Sequence, residues 1–146
     1  MSDNNAEGLA GLKKRIEVIE QSYEFMLAYA AQGSQGDPES KSAGQLRDAL
    51  SKAEKALSGL ADEFVAHVER SGLEPKASYA QYLQTVRRDA ESSHAAIQIT
   101  RRLERISSQL IDNLNASIHI RALLTDLFFI DEVLKAAERD GQKSTA

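Results

Sequence analysis

Glu91-Ser-Ser-His94 carries the Glu-x-x-His spacing of carboxylate-bridged di-metal bundles. Residues three apart on a helix share a face, so both groups can turn toward one ion. A complete centre of that kind needs a second such motif and a Glu from each of two further helices. The nearest second half is Glu63 and His67, which stand four apart rather than three. With 3 histidines and 22 acidic residues in the chain, a single match carries little weight. Solvated or core-edge histidines are therefore expected, with Glu91, His94, His67 and Glu63 as the ligand set if a metal binds. His67 lies near the apolar seam that continues past Phe64, a place for a buried imidazole.

Arginine is concentrated at positions 87, 88, 101, 102 and 105. Arg101 and Arg105, one helical turn apart, could offer two forks to a phosphate or carboxylate. The competing expectation is a solvated face in which Asp89, Glu91 and Glu104 neutralise these cations. Arg88, Asp89 and His94 also resemble the Arg, polar, then His motif of HEPN-type ribonucleases. Residues six apart on an unbroken helix point to opposite sides, so that chemistry requires a helix break between them.

Other chemistries are excluded by composition. The chain has no Cys, hence no disulfide, no thiolate zinc site and no cysteine nucleophile. Its net charge of −4 argues against the broad positive field of a sequence-independent nucleic-acid binder. The N-terminal MSDNNAEGLAG is polar and acidic, unlike a signal peptide. The most apolar stretch, Ile118 to Leu134, is interrupted by Arg121, Asp126 and Asp131, so a buried helix is expected rather than a membrane span. Cytoplasmic localisation follows as the expectation.

The elements that must position these residues are helices. Leu9, Leu12, Ile16, Ile19, Tyr23, Met26 and Ala30 step by threes and fours. The rhythm repeats in Leu46, Leu50, Ala53, Leu57, Leu60 and Phe64, and again in Tyr79, Leu83, Val86, Ala90, Ser93 and Ile97. Each set forms an apolar stripe that must be buried against another. The predicted helices cover about Glu7 to Gln32, Gln45 to Ser71 and Lys76 onward, with the last from Ile118 to Arg139. Residues 33–44 collect Gly, Pro and Ser and read as a flexible loop. Gly72 is placed to stop the second helix, and Pro75 to open the third. A continuous helix from Lys76 to Gly141 would outrun its partners, so a break is expected at Asn113–Ser117. The stripe is also expected to change phase after Ile97, passing through Ile99, Leu103, Ile106 and Leu110.

His94 to Arg105, HAAIQITRRLER, resembles the Arg-Arg-x-Glu-Arg helix of ATP-dependent cobalamin adenosyltransferases. Arg15-Ile16-Glu17 with Glu24 resembles their first helix, Leu46-Arg47-Asp48-Ala49-Leu50 through Leu60 their second, and Thr125-Asp126-Leu127-Phe128 their last. The resemblance implies a corrinoid or ATP as ligand, with Arg101, Arg102, Glu104, Arg105 and Asp126 in contact with it. Their Gly- and Thr-rich phosphate loop has no counterpart in Met1 to Lys14. Ile97 and Ala122 stand where an arginine and an asparagine occur. The resemblance thus implies a relative that kept a trimeric bundle without the catalysis.

The expected architecture is all-α: one domain over residues 1–146, an antiparallel up-and-down bundle of four main helices with one long or bent. Tails are expected at about 1–6 and 141–146. The apolar excess on the last helix suits a homo-oligomer, a dimer or trimer, or a position at the bundle centre. The expected function is a non-enzymatic accessory or adaptor protein acting through protein contacts, with no cofactor. A corrinoid or nucleotide binder is the first alternative, and a lipid- or granule-surface amphipathic protein the second. Neither a nucleic-acid nor a membrane partner is expected.

Overall fold

The computed structural model describes the backbone of residues 2–145 and the side chains of residues 8–141. Among the described residues there are six α-helices and no strand: α1 (Ser2–Ala30), α2 (Lys41–Leu57), α3 (Leu60–Ser71), α4 (Lys76–Arg101), α5 (Ser108–Asn115) and α6 (Ile118–Thr145). Helical backbone thus covers most of the expected tails, whose side chains lie outside the described residues. Helix α1 packs on α2, α3 and α5, and α4 packs on α2, α3 and α6.

The three apolar stripes face inward. Leu9, Leu12, Ile16, Ile19, Met26 and Tyr29 are buried from α1, and Leu83, Val86, Ala90, Ser93 and Ile97 from α4. The middle stripe is buried in full, yet it runs over two helices rather than one. The chain breaks at Ser58–Gly59, where Gly59 takes φ +71, a conformation glycine adopts without a Cβ clash. Carbonyls freed by a break need donors. Arg15 of α1 supplies them, donating to Ala56 O at 3.2 Å and Ser58 O at 2.6 Å while its other nitrogen pairs with Glu63 at 2.7 Å. As expected, α3 stops at Gly72, in the left-handed conformation, with the Leu73 amide bonded back to Val68 O. Pro75 caps α4.

Helix α4 ends earlier than the break expected at Asn113–Ser117. At its end Arg47 of α2 donates to the Arg101 oxygen at 3.1 Å and to the oxygens of Leu103 and Glu104 just beyond at 2.6 and 2.8 Å, holding the chain there out of the helix. The expected phase change holds only in its second half: the stripe continues in step to buried Thr100, leaving Ile99 and Leu103 69% and 41% exposed, while Ile106 and half-buried Leu110 pack on the core. A second break, at Ala116–Ser117, falls inside the expected segment.

The Gly- and Ser-rich segment after α1 is tied to the α4–α5 link. The Ser34 amide donates to Ser108 Oγ at 2.8 Å, and the Ser108 amide donates back to Ser34 O at 2.9 Å. Gly36, at φ +84, lies so close to Ile106 that a Cβ would come within 2.7 Å of its backbone nitrogen. Gly36→Ala is therefore expected to destabilise the protein by about 2–4 kcal/mol, combining a left-handed backbone with a backbone clash. A lowered urea midpoint at unchanged slope is the readout; an unchanged midpoint would show that this link yields freely.

Candidate functional site

Asp126 interrupts the buried side of α6. The helix turns Ile120, Leu123, Leu127, Ile130 and Leu134 inward, and Asp126 lies at the edge of that face, against α4. It is only 8% exposed, and its Oδ2 has no hydrogen-bond partner. The α4 residues beside it are Asp89 and Tyr82, seven apart and so on one helix face. Asp89 is itself approached by His119, Nδ1 to Oδ1 3.6 Å. Tyr82 lies edge-on to Phe129 with centroids 5.2 Å apart, and this pair together with Asp89–His119 runs α4 and α6 antiparallel here.

Two carboxylates sharing a poorly hydrated space cannot both ionise easily. Burial, first, and then the Asp89 carboxylate push the Asp126 carboxyl up to about 7, while the Tyr82 hydroxyl pulls it down. Tyr82 is raised in turn, by burial and by the Asp126 charge. Asp126, of this cluster, opens onto a groove of about 570 Å³ lined by Tyr23 of α1 and by Ile118, Arg121, Ala122, Leu124, Thr125 and Asp126 of α6. A proton or another cation is what such a pair can hold.

The residues expected to contact a corrinoid or nucleotide are not gathered in one place. Arg101 ends α4 and pairs with Glu54 of α2; with Arg102, Gln98 and Ile99 they line a second groove, of about 500 Å³. Glu104 and Arg105 follow on the exposed α4–α5 link rather than on a helix. Asp126 is on the other groove: Asp89, its neighbour, precedes Arg101 by about 18 Å along the unbroken α4 at 1.5 Å per residue.

The expected metal set is scattered as well. Glu63 is held by Arg15. Glu91 is exposed, and His94 Nε2 lies 4.0 Å from Glu54. His67 is buried, as its place past Phe64 suggested, with Nδ1 lacking a partner; burial, then nearby Arg70, lower its pKa. Among the described residues no group of three or more His, Asp or Glu side chains is arranged to hold a metal ion. Because α4 is unbroken from Lys76 to Arg101, Arg88 and His94 do not converge as the ribonuclease motif requires.

Sequence reasoning missed Asp89 and Tyr82 as partners of Asp126, and His119 as the partner of Asp89. A faint signal exists: Tyr82 and Asp89 flank the α4 stripe at the same helical angle, and Asp126 interrupts an otherwise apolar run. Which polar edge meets which is a matter of helix pairing. Compared with protein-family models, curated proteins and solved structures, the chain finds no match.

Proposed function

We propose that this chain is a non-enzymatic accessory or adaptor protein, an up-and-down bundle of four main helices (α2 and α3 counted as one) that associates with itself and with partner proteins through α6. One observation carries the reading. Phe128 and Phe129, adjacent on α6, are each 55% exposed. Two neighbouring phenyl rings left half in water are unfavourable for a free-standing surface and typical of contact anchors. Ile118, 74% exposed, lies on the same outward side, at the helical spacing 118, 122, 125, 129. The dispersal of the corrinoid and metal sets favours this reading over a ligand-binding one.

Sedimentation equilibrium tests it. The wild-type protein is expected to form a dimer or trimer, and Phe128→Ser with Phe129→Ser to give a folded monomer. Phe129 gives up its edge contact with Tyr82, so stability should fall by about 1–2 kcal/mol while the fold is kept. A wild-type protein monomeric at tens of micromolar would remove self-association, and equal masses for wild type and variant would remove α6 from the contact.

A further inference from the structure

We propose that the Asp126–Asp89 pair is a receptor for one cationic side chain, a lysine ammonium or arginine guanidinium, projecting from a partner protein's helix laid along α6. The inference rests on the reading of α6 as a protein-contact face and names the chemistry of what docks there.

An ionised carboxylate is acceptor-only and needs donors at both oxygens when buried. Asp126 Oδ2 has none. Among the described residues no Lys or Arg side chain forms an ion pair with Asp126 or Asp89, and His119, at 3.6 Å from Asp89, is the cation-capable group within ion-pair range. Two facing acids with a missing donor are complementary to a positive charge delivered from outside.

The groove supplies the path for it. From Asp126 it runs past Ala122 and Thr125 to Ile118, Leu124 and the ring of Tyr23. Its apolar side, Ile118, Ala122, Leu124 and the Tyr23 ring, suits the aliphatic stem of lysine or arginine, whose head would reach Asp126 with Asp89 behind it. Phe128 and Phe129 stand beside the groove as apolar anchors for the rest of the helix. A metal ion fits less well: among the described residues Asp126, Asp89 and His119 are not arranged as a set that could hold one. An anion would meet two carboxylates.

A cation entering this site must compete with a proton. Tyr82 and Asp89 from α4 face Asp126, His119 of its own helix approaches Asp89, and Tyr23 of α1 and exposed Arg121 line the groove. The Tyr82 hydroxyl lies toward Asp126 as a donor, and Oδ2 still lacks a partner. With Asp126 titrating at about 7, occupancy by an ammonium releases a proton, and binding should be about tenfold weaker at pH 6 than at pH 8.

The test uses the full chain with its aspartate carboxyls labelled with ¹³C, titrated with n-butylammonium chloride as the lysine side-chain probe. Saturable shifts of the Asp126 and Asp89 resonances at pH 8 are expected. They should weaken about tenfold at pH 6, vanish for the remaining carboxyl in Asp126→Asn, and not appear with n-butanol. No saturable shift at pH 8, an equal response to butanol, or a response to calcium but not to butylammonium would overturn the proposal. Sedimentation of the same samples separates this failure from failure of the contact reading. Ammonium binding by a protein whose association ignores Phe128 and Phe129 leaves the receptor and removes the docking face. Association through those phenylalanines without ammonium binding does the reverse.

Discussion

Asp126→Asn is expected to gain stability relative to wild type as pH rises, by up to about 3 kcal/mol between pH 5 and pH 8. The direction follows from where the proton resides. The Asp126 carboxyl titrates near 3.8 in the unfolded chain and at about 7 in the folded protein. Between those values the folded state holds a proton that the unfolded state has released. Raising pH through that window therefore favours unfolding, and the loss is complete once pH passes the folded value. Asparagine keeps the shape of the protonated acid and cannot ionise, so its stability escapes this slope. His67 acts oppositely: its pKa is lowered on folding, chiefly by burial, so stability is lost as pH falls below about 6.5. The wild-type profile alone mixes the two. Subtracting it from the Asp126→Asn profile isolates the aspartate, since His67 is common to both. Urea midpoints from pH 5 to pH 8.5 supply the comparison, and a difference that stays flat across that range would contradict the buried acid pair.

Tyr29→Ala should cost about 3–5 kcal/mol, the largest single loss expected from a side chain in the structure. Tyr29 is fully buried near the end of α1 and belongs to the main core. Its hydroxyl donates to Ile106 O at 2.6 Å, and its own carbonyl accepts from Ser108 Oγ at 2.6 Å. The ring thus fills space in the core while its polar tip anchors the α4–α5 link, the same link that Ser34 and Gly36 contact. Tyr29→Phe separates the parts: it leaves Ile106 O without its donor and should cost about 1–2 kcal/mol. Thermal or urea denaturation of both variants provides the check. If the phenylalanine variant lost as much as the alanine one, the hydrogen bond rather than the packing would dominate, contrary to this account.

The candidate site was only partly legible before folding. Asp126 drew attention because a charge within an apolar run must find some accommodation, and position alone reveals that. Its partners lie on α4, more than thirty residues away in sequence, and no local pattern selects Asp89 over any other acid on that helix. The arginines illustrate the opposite error. Arg101, Arg102 and Arg105 read as one face of a continuous helix, whereas Arg47, from a different helix, captures the terminal carbonyls and ends α4 at Arg101. A C-terminus set by a distant side chain leaves no mark in the residues it terminates.

What the amino-acid order determines by itself is helicity and inside from outside. Leu9 to Met26, Leu46 to Phe64 and Leu83 to Ile97 carry their burial in their spacing, because the period of a helix is a property of the backbone. Gly72 likewise marks a stop through its own conformational freedom. Tertiary structure alone decides where helices break for want or supply of a distant donor, at Gly59 with Arg15 and after Arg101 with Arg47. It alone decides that Ile99 stays in water while Thr100 goes inside, and that two acids from α4 and α6 share one space. These outcomes depend on pairing between segments far apart in the chain, and the energy that selects them resides in contacts formed only once the helices have packed.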